Sequence, residues 1–350
     1  MINKPTLLIS KSKVERNISR MVKKAKRSAV IFRPHFKTHQ SVGIGELFRK
    51  MGVKQITVSS VSMADYFAAH GWDDITIAFP VNLRETDKIN QLSEKVHLNL
   101  LVDSAYSTRQ LAGSLLSETG IFIEIDNGYH RSGLLPGQIQ EIDEIVKIAG
   151  NISHMVFKGF LNHAGNTYNA KGKVEILSIM NDAADKLNAL KNKYHGRFPD
   201  IITSYGDTPS CSLAEDLSAF DEIRPGNFVY YDVMQYHIGS CSLDDIAVAV
   251  ACPVVSVYPG RNEIVIYGGA VHLSKEFIAA DNGFKLFGYV VNLTGDGWSE
   301  PIPGAYVSSV SQEHGIVKMP EKFIEQFKPG DVVGILPVHS CLTANLMKED

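Results

Sequence analysis

The chain has 350 residues, of which 44% are hydrophobic and 21% are charged, and its formal net charge is −3. This composition suits one large or two ordinary globular domains, and the charge gives no reason to expect a nucleic acid or an anionic membrane as partner. No apolar run is long enough to span a bilayer, and residues 1–5 do not resemble the start of a signal peptide. The four cysteines lack CxxC spacing, which indicates a reduced, cytoplasmic protein.

The first predicted strand covers residues 6–9, and Ser10 is a suitable cap for the amphipathic helix that follows. From there strands and helices alternate. The predicted strands are 29–36, 55–59, 75–79, 96–102, 121–126, 156–161, 200–204 and 221–224. Helical patterns between them include 46–48, 105–116, 139–148 and 174–190. Eight such repeats over about 230 residues predict an α/β architecture, a closed (β/α)8 barrel of parallel strands.

The pattern changes after Tyr236, where strand-like segments follow one another without a long amphipathic helix. These segments are 246–258, 263–271, 286–293, 305–310 and 332–336. They predict a C-terminal all-β domain of about 110 residues, which the strand at 6–9 is expected to join. The predicted domains are therefore a barrel of residues 10–238 and a β domain of residues 239–350 with 1–9.

A basic segment, Arg33-Pro34-His35-Phe36-Lys37-Thr38-His39, ends the first barrel strand. A neutral lysine amine is a nucleophile, and neighbouring cations or partial burial favour that neutral state. Active sites of such barrels lie at the carboxyl ends of the strands, which is where the pattern puts Lys37. The alternative is a solvated loop lysine.

Two glycine-containing turns, 206–210 and 224–227, follow the last two barrel strands. Their backbone N–H groups and the Thr208 hydroxyl suit a phosphate. Each turn alone is typical of an ordinary loop. Together with a strand-end lysine they predict pyridoxal phosphate, held as a Schiff base.

A second cluster lies in the β domain, where His339 and Cys341 are separated by one residue. On an extended segment this spacing puts both side chains on one face, and imidazole with thiolate suits zinc. Two protein ligands would leave the metal open to a substrate. The alternative is a buried cysteine beside a hydrogen-bonded histidine, and the other three cysteines are assigned to packing.

Six motifs spread over nearly the whole chain resemble those of the D-threonine aldolase and eukaryotic-type D-serine dehydratase family. These are pyridoxal-phosphate enzymes with the alanine racemase barrel, called fold type III. The motifs are RPHFKTH (33–39), DNGYHRSG (126–133), GDTP (206–209), RPGNFVYYD (224–232), QEHG (312–315) and PVHSCLTANL (337–346).

The resemblance implies how the cofactor is held. Lys37 would form the Schiff base, Arg131 would lie near the phenolic oxygen, and Tyr168 would lie near the ring. The expected phosphate contacts are Thr208, Gly226 and Asn227. Asp207 departs from the family, which is expected to have a small hydroxyl residue at this position. A carboxylate close to the phosphate dianion would repel it unless turned away, so Asp207 itself is not expected to contact the phosphate.

The resemblance also implies that His339 and Cys341 hold a metal in the active site. By this likeness, aldolase members have a His-x-Asp pair with a hard divalent ion, whereas dehydratase members have a His-x-Cys pair with zinc. Zinc is therefore expected here, with manganese or another divalent ion as the alternative. Zinc on the substrate β-hydroxyl makes it a leaving group. The predicted lyase converts a D-β-hydroxy amino acid, such as D-serine or a 3-hydroxyaspartate, into a 2-oxo acid and ammonia.

Three alternatives remain open at this point. One is retro-aldol cleavage of D-threonine-like substrates, and another is racemisation, which needs a second base that the sequence does not identify. The third is a protein that carries pyridoxal phosphate without catalysis, against which the β domain with His339 and Cys341 argues. The family likeness further implies a homodimer.

Overall fold

The computed structural model describes residues 2–279 and 283–348. The chain divides into two compact units, Ile18–Gly226, and Met1–Asn17 together with Asn227–Asp350. We call them the barrel unit and the β unit. The first division falls inside helix α1 (Lys11–Arg27). The domain bounds drawn from the sequence, 10–238 and 239–350 with 1–9, stay a prediction of where separable domains begin and end.

The barrel unit contains an eight-stranded parallel sheet. Its strands are β2 (Ile31–Phe32), β3 (Ile56–Val58), β4 (Asp74–Pro80), β5 (His97–Val102), β6 (Thr119–Glu124), β7 (Met155–His163), β8 (Ile202–Gly206) and β9 (Glu222–Ile223). They lie in the order β2-β9-β8-β7-β6-β5-β4-β3. Hydrogen bonds from Phe36 N to Thr57 O (2.8 Å) and from Thr57 N to Pro34 O (2.9 Å) join the two edges of the sheet. The predicted eight-stranded parallel architecture is confirmed.

A helix precedes or connects the barrel strands at each step. Besides α1 these are α2 (Val42–Lys50), α3 (Val61–Ala68), α4 (Thr86–Ser93), α5 (Ala105–Ala112), α6 (Ile139–Ala149), α7 (Lys173–His195) and α8 (Thr208–Leu213). Ser41, Ser60 and Ser104 cap three of them, because each hydroxyl accepts a backbone N–H three residues on. Within residues 2–279 and 283–348, no helix combines the length and the apolar composition that a bilayer crossing requires.

Several predicted barrel elements differ in length from the observed ones. The strand predicted at 29–36 has only two residues in the ladder, because Ala29 is in the left-handed region (φ 55°) and Pro34 has no N–H to donate. The helix predicted at 174–190 extends to His195. Its last turns are mostly polar, but Tyr194 is buried and continues the packed face.

The β unit contains a seven-stranded antiparallel sheet of order β1-β10-β11-β16-β15-β14-β17, in which β10 also pairs with β17. The strands are β1 (Thr6–Ile9), β10 (Val248–Tyr258), β11 (Glu263–Tyr267), β14 (Gly288–Thr294), β15 (Gly297–Val310), β16 (His314–Lys318) and β17 (Val332–Pro337). β12 (Ile278–Ala279) and β13 (Lys285–Leu286) form a separate pair. β1 pairs with β10 through Thr6 and Ala251, so the N-terminal strand joins this sheet as predicted.

The β unit also contains the short helices α9 (Val233–Ile238), α10 (Ala270–Leu273), α11 (Glu321–Ile324) and α12 (Ser340–Leu346). The strand predicted at 263–271 is wrong beyond Tyr267, because α10 begins at Ala270. The predicted strand 286–293 is divided between β13 and β14, the predicted strand 305–310 is the end of the longer β15, and β16 was not predicted. Aliphatic side chains from the sheet, among them Val250, Ile264, Val290 and Ile335, make up most of the core of this unit.

Candidate active site

A small pocket, with a cavity volume of about 30 Å³, lies at the carboxyl ends of the barrel strands. It is lined by His35, Lys37, Ala78, Glu124, Arg131, Leu161, His163, Gly206 and Arg224. Lys37 follows β2 and is half-buried, and Arg131 follows β6. The structure therefore brings two predicted site residues into one pocket, at the end of the barrel where barrel enzymes carry their chemistry.

The two histidines of this pocket are uncharged at neutral pH. Burial, together with the charges of Lys37 and Arg131, lowers the pKa of His163 to about 3. Burial and the charge of Lys37 also lower the pKa of His35 well below its ordinary value. His163 Nδ1 lies 2.7 Å from the carbonyl oxygen of Gly206, so the neutral ring donates there and keeps an acceptor at Nε2. The positive charge of the pocket is thus left to its lysine and arginines.

Two charged residues inside barrel strands or at their ends were missed by sequence reasoning. Arg224 is buried and donates to Asn162 O at 2.8 Å and to the Ser204 hydroxyl, and burial lowers its pKa to about 10. Glu124 is 4% exposed, and its Oε2 atom has no hydrogen-bond partner among the residues described. Burial raises the pKa of Glu124. The available signal for Glu124 was a charged residue in the apolar run 121–125, whereas Arg224 stands in the motif 224–232, which gave it no role of its own.

Asp126 organises the loop that presents Arg131. Its Oδ1 atom accepts the backbone N–H groups of Gly128, Tyr129 and His130 at 2.9, 2.9 and 3.0 Å. Its Oδ2 atom lies 2.9 Å from Nδ1 of His130. Burial alone would raise the pKa of Asp126, but these hydrogen bonds lower it below the ordinary value. His130 has a positive φ of 57°, so the backbone immediately before Arg131 is in an uncommon conformation that the carboxylate stabilises.

The carboxylate of Asp207 is used as a helix cap. Oδ1 accepts the N–H of Ser210 at 2.6 Å, which begins α8, and the hydroxyl of Thr167 at 3.1 Å. Burial raises the pKa of Asp207 to about 6. Thr208 is buried at the start of α8, and Tyr168 lies in the 3-10 turn Gly165–Asn169 with its ring centroid 6.5 Å from that of His163. Thr208 thus lies two residues beyond the lining residue Gly206.

Gly226 permits a close approach between two loops of the barrel unit. A Cβ atom there would lie 2.9 Å from both Cβ and O of His35, which is closer than real Cβ contacts. His35 N also donates to Pro225 O at 3.0 Å. A glycine at position 226 therefore supports the segment that carries Lys37.

The predicted metal pair lies in the β unit. β17 ends at Pro337, His339 is at the N-cap position of α12, and Cys341 is in the first turn of that helix. The expectation of an extended segment through Cys341 is therefore wrong, because α12 begins at Ser340. The two side chains are nevertheless adjacent: burial would lower the pKa of His339, but the hydrogen bond to Cys341 and the charges of Cys341 and Asp232 raise it to about 9.

The donor chemistry of this pair fits a divalent metal with open coordination positions. In the described parts of the chain, no group of three or more His, Cys, Asp or Glu side chains is arranged to hold a metal ion. Asn227 lies beside the pair, with Nδ2 3.4 Å from Sγ of Cys341. The Asn227 side chain is thus held within the β unit.

Comparison with known proteins identifies relatives of the whole chain. The model of the alanine racemase N-terminal domain matches residues 9–233, and that of a putative serine dehydratase domain matches residues 247–349. The chain is 30% identical to the D-serine dehydratase of Dictyostelium discoideum, over 99% of this chain and 92% of the relative. It is 28% identical to the D-threo-3-hydroxyaspartate dehydratase of Delftia sp. (strain HT23), over 98% of this chain and 92% of the relative.

Solved structures give the same picture. The Delftia enzyme superposes with a TM-score of 0.90 at 26% identity, covering 99% of this chain and 93% of that one. A cysteine-to-alanine mutant of a D-threo-3-hydroxyaspartate dehydratase in the metal-free form superposes equally well, with a TM-score of 0.90. D-threonine aldolase from Filomicrobium marinum, with a TM-score of 0.81 and 21% identity over 99% of this chain and 90% of that one, shares the fold.

The parallel eight-stranded sheet, the separate antiparallel sheet and the match to the alanine racemase N-terminal domain define the class of alanine racemase-like proteins. This fold and these relatives imply pyridoxal phosphate as cofactor. Within that class, the chain belongs to the D-serine dehydratase family of lyases. The family predicted from the six motifs is confirmed.

Proposed function

We propose that the protein is a pyridoxal-phosphate- and zinc-dependent dehydratase of a D-β-hydroxy amino acid such as D-serine or a 3-hydroxyaspartate. Its products are a 2-oxo acid and ammonia. The observation that carries the proposal is the combination, in one chain of this family, of the Lys37 pocket with the His339–Cys341 pair.

The barrel pocket fits the cofactor by its chemistry. Lys37 supplies the primary amine that holds the cofactor, and Arg131 supplies a cation for the phenolic oxygen. The neutral His163 leaves the pocket's cationic charge to the lysine and arginines. Further cofactor contacts are proposed for residues next to the lining; they are Tyr168 at the ring and Thr208, Gly226 and Asn227 at the phosphate.

Pyridoxal phosphate, when bound, supplies an electron sink for the negative charge that forms at the substrate Cα. The chain's own part is to move the proton. The Lys37 amine would remove the Cα proton, because it lies in the pocket and is a base in its neutral form. Arg131 and Arg224 keep the pocket positive, which favours an anionic substrate.

The metal supplies a Lewis acid for the departing β-hydroxyl. His339 and Cys341 would hold it, and the thiolate favours a soft ion, so zinc is proposed ahead of manganese. The metal-free form of the cysteine-to-alanine mutant of a D-threo-3-hydroxyaspartate dehydratase supports a metal site in this family. Retro-aldol cleavage would instead require the β-hydroxyl to lose its proton. The sulfur ligand favours the dehydratase over the aldolase.

The test is a product assay on a panel of D- and L-serine, D-threonine and the 3-hydroxyaspartate isomers. We expect 2-oxo acid and ammonia in equal amounts from a D-isomer, and loss of that activity with a chelator. Glycine and an aldehyde as the main products would show an aldolase. Racemised substrate without net consumption, and no effect of the chelator, would show a racemase.

We also propose a homodimer, on the family likeness, which sedimentation equilibrium would test. A cytoplasmic location stays a prediction.

A further inference from the structure

Asp232 gathers an unusual number of hydrogen bonds within the β unit. It is 1% exposed, and its Oδ2 atom accepts from Asn227 Nδ2 at 2.7 Å, from Ser340 N at 3.0 Å and from Ser340 Oγ at 3.2 Å. Its Oδ1 atom accepts the N–H of Gln235 at 2.9 Å and so caps α9. One buried carboxylate thus fixes three segments of the chain.

One of these segments is the start of α12, which carries the metal pair. His339 is at the N-cap position, but its side chain does not cap the helix. The first backbone N–H of α12, that of Ser340, is instead accepted by Asp232 from more than a hundred residues away. Because an N-terminal N–H needs a partner when buried, Asp232 determines where and in which direction this helix begins.

Asn227 extends the arrangement to the sulfur atom. Its Nδ2 atom donates to Asp232 and lies within hydrogen-bond distance of Ser340 Oγ (3.1 Å) and Cys341 Sγ (3.4 Å). The orientation of the Asn227 amide is fixed by the carboxylate, since only the NH2 end can donate to it. A donor held against the sulfur restricts the directions in which Sγ can present its lone pairs.

We propose that Asp232, acting through Ser340 and Asn227, is a positioning residue for metal binding by Cys341 and His339. Metal sites lose affinity when the partners that orient their ligands are removed, typically by about 10- to 100-fold. This inference rests on the proposed function, because it assumes that His339 and Cys341 bind the metal.

The test compares Asp232→Asn with a matched control, Asp245→Asn. Asp245 is a buried carboxylate of the same unit whose Oδ2 accepts from a serine N–H and hydroxyl, Ser242 at 2.9 and 2.7 Å. The dissociation constant for Zn²⁺ is measured on the full-length holoenzyme by competition with a chromogenic chelator. Co²⁺ substitution adds the thiolate-to-metal charge-transfer band, which reports directly on the bond to Cys341.

We expect Asp232→Asn to weaken Zn²⁺ binding by about 10- to 100-fold and to reduce the cobalt–thiolate band, with the visible absorbance of the cofactor unchanged. Asp245→Asn should leave both metal readouts at the wild-type value. If Asp232→Asn does not fold, Ser340→Ala replaces it. That variant removes only the hydroxyl and should weaken binding by about three- to tenfold, a smaller loss because the Ser340 N–H remains bound.

Two results would overturn the inference in distinguishable ways. The absence of a cobalt–thiolate band in the wild-type protein would exclude the metal site itself, and with it the zinc part of the proposed function. The role of Asp232 would be refuted, and the proposed function left intact, by a normal wild-type band together with unweakened variants. In that case the Zn²⁺ dissociation constants of Asp232→Asn and Ser340→Ala would lie within twofold of the wild-type value, or would be no higher than that of Asp245→Asn.

Discussion

Replacing Asp207 by asparagine tests whether this carboxylate is a buried cap that destabilises the folded barrel unit when ionised. Burial raises its pKa from 3.8 to about 6. At about 1.4 kcal/mol per pKa unit, the difference corresponds to about 3 kcal/mol. Asparagine is also a good N-cap and keeps an oxygen for the N–H of Ser210 and the hydroxyl of Thr167, so the cap geometry can persist.

The direction of the pH dependence of stability follows from the raised pKa of Asp207. An acid whose pKa is higher in the folded state stabilises that state fully at a pH below 3.8, and this contribution is lost as the pH rises through about 6. The free energy of unfolding of Asp207→Asn, minus that of the wild type, should therefore increase with pH. Between about pH 4.5 and 7.5 the expected increase is roughly 2 kcal/mol, since part of the change lies at lower pH. A constant cost of the asparagine NH2 group cancels in this comparison.

The chain offers a specific optical probe for this measurement. It has two tryptophans, Trp72 in the barrel unit and Trp298 in the β unit. In a Trp298→Phe background, urea unfolding followed by fluorescence reports on the barrel unit through the buried Trp72. Cofactor occupancy is kept equal in all samples.

Asp221→Asn is the control of opposite sign. Burial would raise the pKa of Asp221, but hydrogen bonds from Lys191 at 2.7 Å and from Thr203 lower it. Its ionised form therefore stabilises the fold, and the stability difference for this variant should not increase with pH. A flat difference for Asp207→Asn, or equal pH dependence in both variants, would refute the account of Asp207.

Three further predictions concern the proposed site. Lys37→Ala should lose the visible absorbance of lysine-linked cofactor and several orders of magnitude of turnover, and borohydride labelling of another lysine in the wild type would contradict this assignment. Gly226→Val should raise the dissociation constant of the cofactor and cost about 1 to 3 kcal/mol of stability, because its Cβ meets His35, whereas Gly137→Val, which has open space, should change neither. Cys341→Ala should abolish 2-oxo acid formation while the cofactor absorbance persists, and full activity in this variant would exclude a metal role for the pair.

The sequence alone determined the eight-stranded parallel architecture and the family. Alternating apolar runs predict strands and helices because burial of a strand or a helix face is recorded locally, at periods of 2 and 3.6. The same is true of the strand ends, so Lys37 could be assigned to one end of the barrel before any contact was known, whereas Arg131 was assigned through the family motif 126–133. The strand at 6–9 was likewise expected to join the β domain, and β1 pairs with β10.

The tertiary structure decided what depends on partners distant in the chain. Glu124 and Arg224 lie at the ends of runs that resemble ordinary strands, and only the packing of β6, β7 and β9 brings them into the pocket. The turn from β17 into α12 separates Cys341 from the extended segment that its spacing suggested, and the start of that helix is fixed by Asp232, 108 residues earlier. Hydrogen bonds of this kind leave no periodic trace in the sequence, because each joins two residues whose neighbours are unrelated.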